Sequence, residues 1–121
     1  MIDKNDLKDW LDESSRNKHF QKIKDFVNRE IRKHALEGEK TFYISTGRAC
    51  NIKHTHEKTP FYNIWHCEGL SRDNARIVQN RIIEGYKKSG FDIEKVFIDC
   101  GWHSNYEGIQ FKNIHNAIEG D

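Results

Sequence analysis

The chain has 121 residues, 36% of them hydrophobic and 32% charged, with a formal net charge of +1 at pH 7. This length suits a single domain over residues 1–121 and is too short for two ordinary domains. No window of the sequence approaches a run of about 18 apolar residues, which excludes a membrane-spanning helix. The balanced charge argues against an acidic mimic of DNA and gives no overall attraction to nucleic acid.

The first third of the sequence predicts two helices. In a short N-terminal helix within residues 1–16, Leu7, Trp10 and Leu11 share one side. The serines and asparagine of ESSRN favour helix caps over helix interiors, so they predict a break after this helix. A second helix then extends to about Leu36, followed by a glycine where a left-handed cap prefers one. Its apolar face repeats at the helical period at Phe20, Ile23, Val27, Ile31 and His34.

Two segments in the middle of the chain predict strands. KTFYIST alternates and is rich in residues that favour strands. FYNIWHC follows Pro60 and predicts a second strand, with proline at a sheet edge where its missing N–H breaks no ladder. An open edge of this kind can pair with a second copy of the chain, so we consider a homo-oligomer.

GLSRDNARIVQNRIIEGYKKSG is the clearest helix of the sequence. Ser71 suits its N-cap, Asp73 lies in its first turn, and Lys87 and Lys88 lie in its last turn, as the helix dipole favours. Gly85 borders the apolar stripe and predicts a close approach to a neighbouring element. The stripe consists of Ala75, Val78, Ile82 and Tyr86.

The end of the chain predicts a hairpin. VFIDC and GIQFKNI are its strands around the turn-rich GWHSNYE, and residues 115–121 form a frayed tail. The element order is helix, helix, strand, strand, helix, strand, strand. This order predicts an α+β fold, in which a small, mostly antiparallel sheet of three to four strands has helices packed on one face.

The segment CNIKHTHEKTPFYNIWHC holds two cysteines and three histidines within 18 residues. Zinc requires four nitrogen or sulfur ligands that converge on the ion, and the candidates here are Cys50, His54, His56 and His66. Strand alternation, however, places His66 and Cys67 on opposite faces, and it assigns Cys67 and Cys100 to the apolar side. We therefore expect no metal and no cofactor. A zinc-binding domain or metal-dependent enzyme is kept as an alternative.

The sequence contains no recognisable catalytic constellation. Hydrolysis by a cysteine–histidine pair needs an exposed thiolate, and Cys50 is the only cysteine outside the predicted strands, within reach of His54 or His56. The simpler interpretation is that a cysteine and histidines lie near one another in this loop by chance. There is also no phosphate-binding glycine loop and no G-x-S-x-G motif. We expect a protein without enzymatic activity.

The start of the chain and its cysteines predict a cytoplasmic location. MIDKNDLKDW carries acids and lysines where a signal peptide needs an apolar block. Three cysteines cannot all pair with one another, so reduced thiols are the simplest interpretation. We expect no membrane partner.

Two polar and aromatic excursions, residues 47–60 and 101–107, carry the candidate binding residues. Arg48 leaves a strand beside two hydroxyl groups and is a candidate anion contact. Trp102 and Tyr106 lie in a turn-rich hairpin tip, where aromatic side chains often anchor interfaces, although Trp102 folded back as a lid on the core is equally supported. The candidate binding residues are Arg48, His54, His56, Trp102, His103 and Tyr106.

Two helix faces carry basic sectors that could follow a phosphate backbone. Asp25 interrupts the first sector, and Asp73 and Glu84 dilute the second, so solvated helix faces are the simpler interpretation. A nucleic-acid-binding module is kept as an alternative. Its contacts would be Lys18, Lys22, Arg29 and Lys33 on the earlier helix and Arg72 and Arg76 on the later one.

Residues 20–114 combine a helix ending in IRKHALEGEKTFYIST, the segment LSRDNARIVQNRIIEGYKKSGFDIEKVFID and a final hairpin. In style and element order they resemble the small α+β proteins, rich in lysine and glutamate, that bacteriophages encode outside their structural genes. The resemblance implies an accessory factor that binds and inhibits a host or antiviral-defence component, either a protein or its nucleotide signal. The histidine-rich insertion at residues 50–67 departs from the short connection expected there.

Overall fold

The structure, a computed structural model, describes residues 3–46, 61–99 and 105–119. The α+β class is confirmed, since helices accompany a three-stranded antiparallel sheet. Within the described residues, no helix has the length and apolar character needed to cross a membrane. In chain order the elements are α1 (Lys4–Leu36), β1 (Phe42–Ser45), α2 (Tyr62–Trp65), α3 (Arg72–Lys88), β2 (Asp92–Asp99), β3 (Asn105–Lys112) and α4 (Asn116–Glu119).

Helix α1 runs without interruption through 33 residues, so the predicted break at ESSRN is wrong. Tertiary pairing holds this stretch in the helix. Arg16 donates hydrogen bonds to Glu13 at 2.6 Å and to Asn74 of α3 at 2.7 Å, and Arg81 of α3 donates to Glu13 at 2.9 Å. The hydrogen bonds from Arg81 and Arg16 lower the pKa of the Glu13 carboxyl to about 2. Contacts with α3 therefore outweigh the weak helix propensity of the serines.

The C-terminal end of α1 has the predicted glycine cap. Gly38 adopts a φ of +79° and its N–H donates to the Ala35 carbonyl at 3.0 Å, while the Glu39 N–H donates to the His34 carbonyl at 2.9 Å. These two bonds form a Schellman motif, which reverses the chain over the last helical turn. The reversal brings the Glu39 side chain back to the His34 ring.

Helices α1 and α3 lie side by side and run in the same direction. Arg16 contacts Asn74, and Tyr86 donates a hydrogen bond to Asn28; both pairs are 58 residues apart in sequence. A constant separation along two helices means that they are parallel. The predicted stripe of α3 is confirmed, with Ala75, Val78 and Ile82 buried and Tyr86 packed against the core. The predicted cap is confirmed as well, because Ser71 accepts a hydrogen bond from the Asn74 N–H at 3.2 Å.

The sheet has the strand order β1-β3-β2, and both pairings are antiparallel. The predicted hairpin of the last two strands is confirmed. Phe111 pairs with Phe42 on one side and with Ile93 on the other, and Ile44 pairs with Ile109. Because paired residues and every second residue share a face, these five buried side chains form one apolar face. Ile23 and Val27 of α1 and the stripe of α3 belong to the same core.

FYNIWHC is not a strand, so the prediction of a second strand there is wrong. Residues 62–65 form the one-turn helix α2, in which the Trp65 N–H donates to the Phe61 carbonyl at 2.8 Å. Strand alternation would bury Asn63 together with Phe61 and Trp65, whereas a helical turn buries the two aromatic residues and leaves Asn63 exposed, as observed. The open sheet edge proposed for a homo-oligomer at this segment therefore does not exist.

The tail contains an element that the sequence did not predict. Residues 116–119 form the one-turn helix α4. The Ala117 N–H donates to the Ile114 carbonyl at 3.1 Å, and Ile114 packs against the core. The apolar side chain at residue 114 holds the start of this turn in place.

Two glycines differ in the space available for a side chain. A Cβ at Gly108 in β3 would collide with the Tyr43 ring and the Ile44 carbonyl of β1. A Cβ at Gly85 in α3 would meet nothing within 4 Å, so the predicted close approach at Gly85 is wrong. A residue without a side chain is therefore required at position 108 of the sheet and not at position 85 of α3.

Gly108→Ala should destabilise the protein by about 2 kcal/mol or more, because its methyl group overlaps a ring and a backbone carbonyl that cannot move independently. Gly85→Ala is the matched control; it should stabilise the protein by roughly 0.5–1 kcal/mol, because alanine is the better helix former and space is available. Urea unfolding followed by circular dichroism measures both changes. A neutral Gly108→Ala or a destabilised Gly85→Ala would contradict this packing.

Candidate functional site

A cavity of about 300 Å³ opens at the end of the sheet where β1 stops. Both predicted excursions are attached to the sheet at this end, because residue 47 follows Thr46 and residues 100–104 connect β2 to β3. The volume is at the lower limit of the usual range for small-molecule sites. The lining residues are Thr46, Trp65, His66, Gln79, Lys95, Val96, Glu107 and Gly108.

The turn after α2 forms one wall of the cavity. Phe61 stacks on Phe26 of α1 with ring centroids 4.5 Å apart, and the Trp65 ring lies 5.8 Å from Phe61. Gln79 of α3 donates a hydrogen bond to the Trp65 carbonyl at 2.9 Å. These contacts bury the two aromatic residues and fix the backbone that carries the next residue, His66.

His66 lies between two buried residues and is itself exposed. Its Nε2 is 3.1 Å from the carbonyl oxygen of Thr46, within hydrogen-bonding distance. The Thr46 N–H in turn donates to the Glu107 carbonyl at 2.9 Å. The imidazole is thus held against the end of the sheet and packs against the Tyr62 ring, with centroids 4.7 Å apart, while His66 also lines the cavity.

Lys95 and Glu107 are the charged residues that line the cavity. Lys95 pairs with Ile109 and Glu107 pairs with Phe97, so both belong to the sheet face that the helices cover. Both are nevertheless exposed, because the helical cover ends before this part of the sheet. The cavity therefore offers an ammonium group, a carboxylate and an imidazole to a ligand.

Cys67 is fully buried and does not take part in the cavity. Burial raises the pKa of its thiol to about 11, and its Sγ lies 3.6 Å from the Trp65 carbonyl oxygen. Only the thiolate acts as a nucleophile or a metal ligand. The predicted burial of Cys67 is confirmed, although the residue ends a helical turn with a φ of +53° instead of extending a strand.

Most of the predicted binding and metal residues lie outside the described residues: Arg48, Cys50, His54, His56, Trp102 and His103. Cys100, predicted to lie on the apolar side of the sheet, also lies outside them. The backbone of Tyr106 pairs with Ile98 in the β2–β3 ladder. His66 is the described member of the predicted zinc set, and it lies beside the Thr46 carbonyl. Within the described chain, the structure brings none of these predicted ligands together with another one.

The two basic sectors lie on opposite sides of the helix pair. Arg16 of α1 contacts Asn74 of α3, which marks the facing sides of the two helices. Lys18 is about 200° from Arg16 around α1, and Arg76 is about 200° from Asn74 around α3, so both cations point away from the partner helix. All six predicted nucleic-acid contacts are exposed: Lys18, Lys22, Arg29, Lys33, Arg72 and Arg76. They form two separate surfaces and not one.

Gln79, Lys95 and Glu107 line the cavity but were not among the predicted binding residues. They come from three different elements and meet only through the tertiary fold. The sequence offers one signal for them: Gln79 is a polar residue next to the apolar stripe of α3. No local pattern distinguishes Lys95 or Glu107 from the other charged residues of the chain.

No protein-family model, curated protein or solved structure matches this chain. The resemblance to small phage-encoded accessory proteins stays a prediction. What the cavity can bind follows from its own side chains.

The thiol of Cys67 should react slowly in the folded protein. In a chain carrying Cys50→Ser and Cys100→Ser, we expect its reaction with an aromatic disulfide at pH 8 to be at least about a hundredfold slower than that of an exposed thiol, because the raised pKa lowers the thiolate fraction and burial blocks access. The matched control removes all three native thiols and adds Ser89→Cys. Equal rates for the two thiols would contradict the described burial, and denaturant should abolish the difference.

Proposed function

We propose that this chain is a small non-enzymatic binding protein that engages a protein partner through the cavity at the loop end of the sheet. The observation that carries the proposal is the exposed pair Lys95 and Glu107 beside His66. Opposite charges on a rigid sheet offer complementary contacts to a polar segment of a partner. The two excursions at residues 47–60 and 101–107 are attached to the sheet at this same end.

Binding suits these groups better than catalysis does. His66 is oriented by a backbone carbonyl, Gln79 donates to another one, and the Cys67 thiol is buried and protonated. Among the described residues that line the cavity, no nucleophilic side chain is paired with a general base. Such a pair is what hydrolysis through a covalent intermediate requires.

The role that we propose for this binding protein is that of a phage accessory factor, which inhibits a host or antiviral-defence component in the cytoplasm of the host cell. Support for this role comes from the resemblance in element order and from the binding surface. A nucleotide signal in place of a protein would be bound through Lys95. The nucleic-acid alternative has weaker support, because the two basic sectors face away from each other.

Site-specific photocrosslinking tests the proposal. A benzophenone amino acid at position 95 should give a discrete adduct with one protein of a bacterial host lysate, because this side chain borders the cavity. An excess of the unmodified chain should suppress the adduct. The matched control carries the same group at Lys22, which is also an exposed lysine and lies on α1.

Three results would each contradict the proposal: the same adducts from positions 95 and 22, adducts from position 95 that the unmodified chain does not suppress, or no protein adduct at all. The last result together with labelling of a nucleotide would move the assignment to the nucleotide signal.

A further inference from the structure

The C-terminal end of α1 brings one imidazole and several carboxylates together, away from the cavity described above. His34 Nδ1 lies 2.5 Å from Glu39 Oε2, and His34 Nε2 lies 3.5 Å from Glu30 Oε2. One potential ligand atom from each of His34, Glu37 and Glu39 lies within 4.8 Å of the others. We call this group the His34 cluster.

The local fold explains why these residues meet. Glu30 precedes His34 by one helical turn, so the two side chains lie on the same side of α1. The Schellman motif at Gly38 then reverses the chain and places Glu39 over the last turn, where its N–H donates to the His34 carbonyl at 2.9 Å. Glu37 is the C-cap residue between them. The cluster is thus a direct product of the helix cap.

The His34 ring is held in a fixed orientation. It stacks on the buried Phe42 ring of β1, with centroids 4.3 Å apart and an interplanar angle of 9°. The His34 side chain is only 17% exposed. Stacking and burial leave one edge of the ring toward Glu39 and the other toward Glu30, so the imidazole need not reorganise to bind a ligand.

We propose that Nδ1 of His34 and the carboxylates of Glu37 and Glu39 bind a divalent transition-metal ion of the zinc class. Imidazole nitrogen and carboxylate oxygen are zinc ligands at about 2.0–2.2 Å, and three protein ligands leave one position for water or another donor. Ligand atoms around such an ion lie roughly 3.3 Å apart. The ligand atoms lie within 4.8 Å of one another here, so the two exposed glutamate side chains would rotate to bring their oxygens closer to the ion.

Two further features suit a cation at this place. Nδ1 of His34 is hydrogen-bonded to Glu39 in this structure, and a metal ion would take the place of the hydrogen in that contact. Glu30, 3.5 Å from Nε2, is then the carboxylate that favours a proton on the opposite nitrogen and leaves Nδ1 as the ligand atom. The carboxyl end of a helix also carries partial negative charge, and α1 ends here. The position is distinct from the predicted zinc set, of which His66 is the described member.

Zinc titration of the untagged full-length chain tests this site. Cys50, His54 and His56 offer other ligands in the sequence, so the number of bound ions alone does not locate one. The informative variant is Glu37→Gln with Glu39→Gln, which keeps side-chain size and leaves the backbone bonds of the cap intact. We expect it to lose one bound zinc equivalent by equilibrium dialysis. Glu30→Gln should weaken this site about tenfold, as loss of the carboxylate partner of a metal-bound histidine does.

The matched control is Glu68→Gln with Glu84→Gln, two exposed glutamates outside the cluster, and it should keep the stoichiometry of the native chain. In nitrogen-15 spectra of the native chain, zinc should shift the ring nitrogens of His34. Unchanged zinc binding by the Glu37/Glu39 variant would overturn the proposal. So would zinc binding that leaves the His34 nitrogens unaffected, or no zinc binding at all; the last two results do not depend on whether any variant folds.

Discussion

Burial of Phe61, Trp65 and Cys67 under the helix pair is the constraint on which the candidate binding surface depends. Burying a large apolar side chain contributes about 1.5–3 kcal/mol, and here the Phe61 ring also stacks on Phe26. The chain can bury the two aromatic residues together and keep Asn63 in water only by forming a helical turn. That turn ends at His66, which is why the imidazole reaches the Thr46 carbonyl at the end of β1.

The same burial separates the Cys67 thiol from the polar groups of the cavity. The thiol of Cys67 is buried and protonated at the base of the turn, while the polar groups of the cavity remain at the surface.

The His34 cluster lies at the start of β1, next to Phe42, whereas the cavity lies at the end of β1, next to Thr46. A metal ion at one end and a protein partner at the other would therefore not compete for the same side chains, so each proposal can fail without the other.

Elements whose local signals agree were predictable from the sequence. The capping serine, the apolar stripe and the terminal lysines all place α3 where it lies, and the short connection between two alternating segments predicts the β2–β3 hairpin. The errors arose where a tertiary contact outweighs a local preference. Arg81 and Asn74, remote in sequence, pair with Glu13 and Arg16 and keep α1 helical.

The error at residues 61–67 has a different origin. Phe61 and Trp65 are four residues apart, a spacing that suits both a strand face and a helical turn. The two structures differ in Asn63, which a strand would bury beside Phe61 and Trp65 and a helical turn exposes. This exposure depends on the tertiary fold and does not follow from the spacing of the two aromatic residues. The residues that line the cavity were missed for the same reason, since Gln79, Lys95 and Glu107 become neighbours only after α2 and α3 pack on the sheet.

Backbone chemical shifts of residues 61–66 test the central claim most directly. A helical turn moves Cα resonances downfield of their random-coil positions and an extended strand moves them upfield. We predict downfield Cα shifts from Phe61 to Trp65, together with slow amide exchange at Trp65, whose N–H is bonded to the Phe61 carbonyl. Upfield shifts through this segment would show an extended chain. In that case the turn would not form the wall of the cavity, Cys67 would not be buried at its base, and His66 would not reach the Thr46 carbonyl.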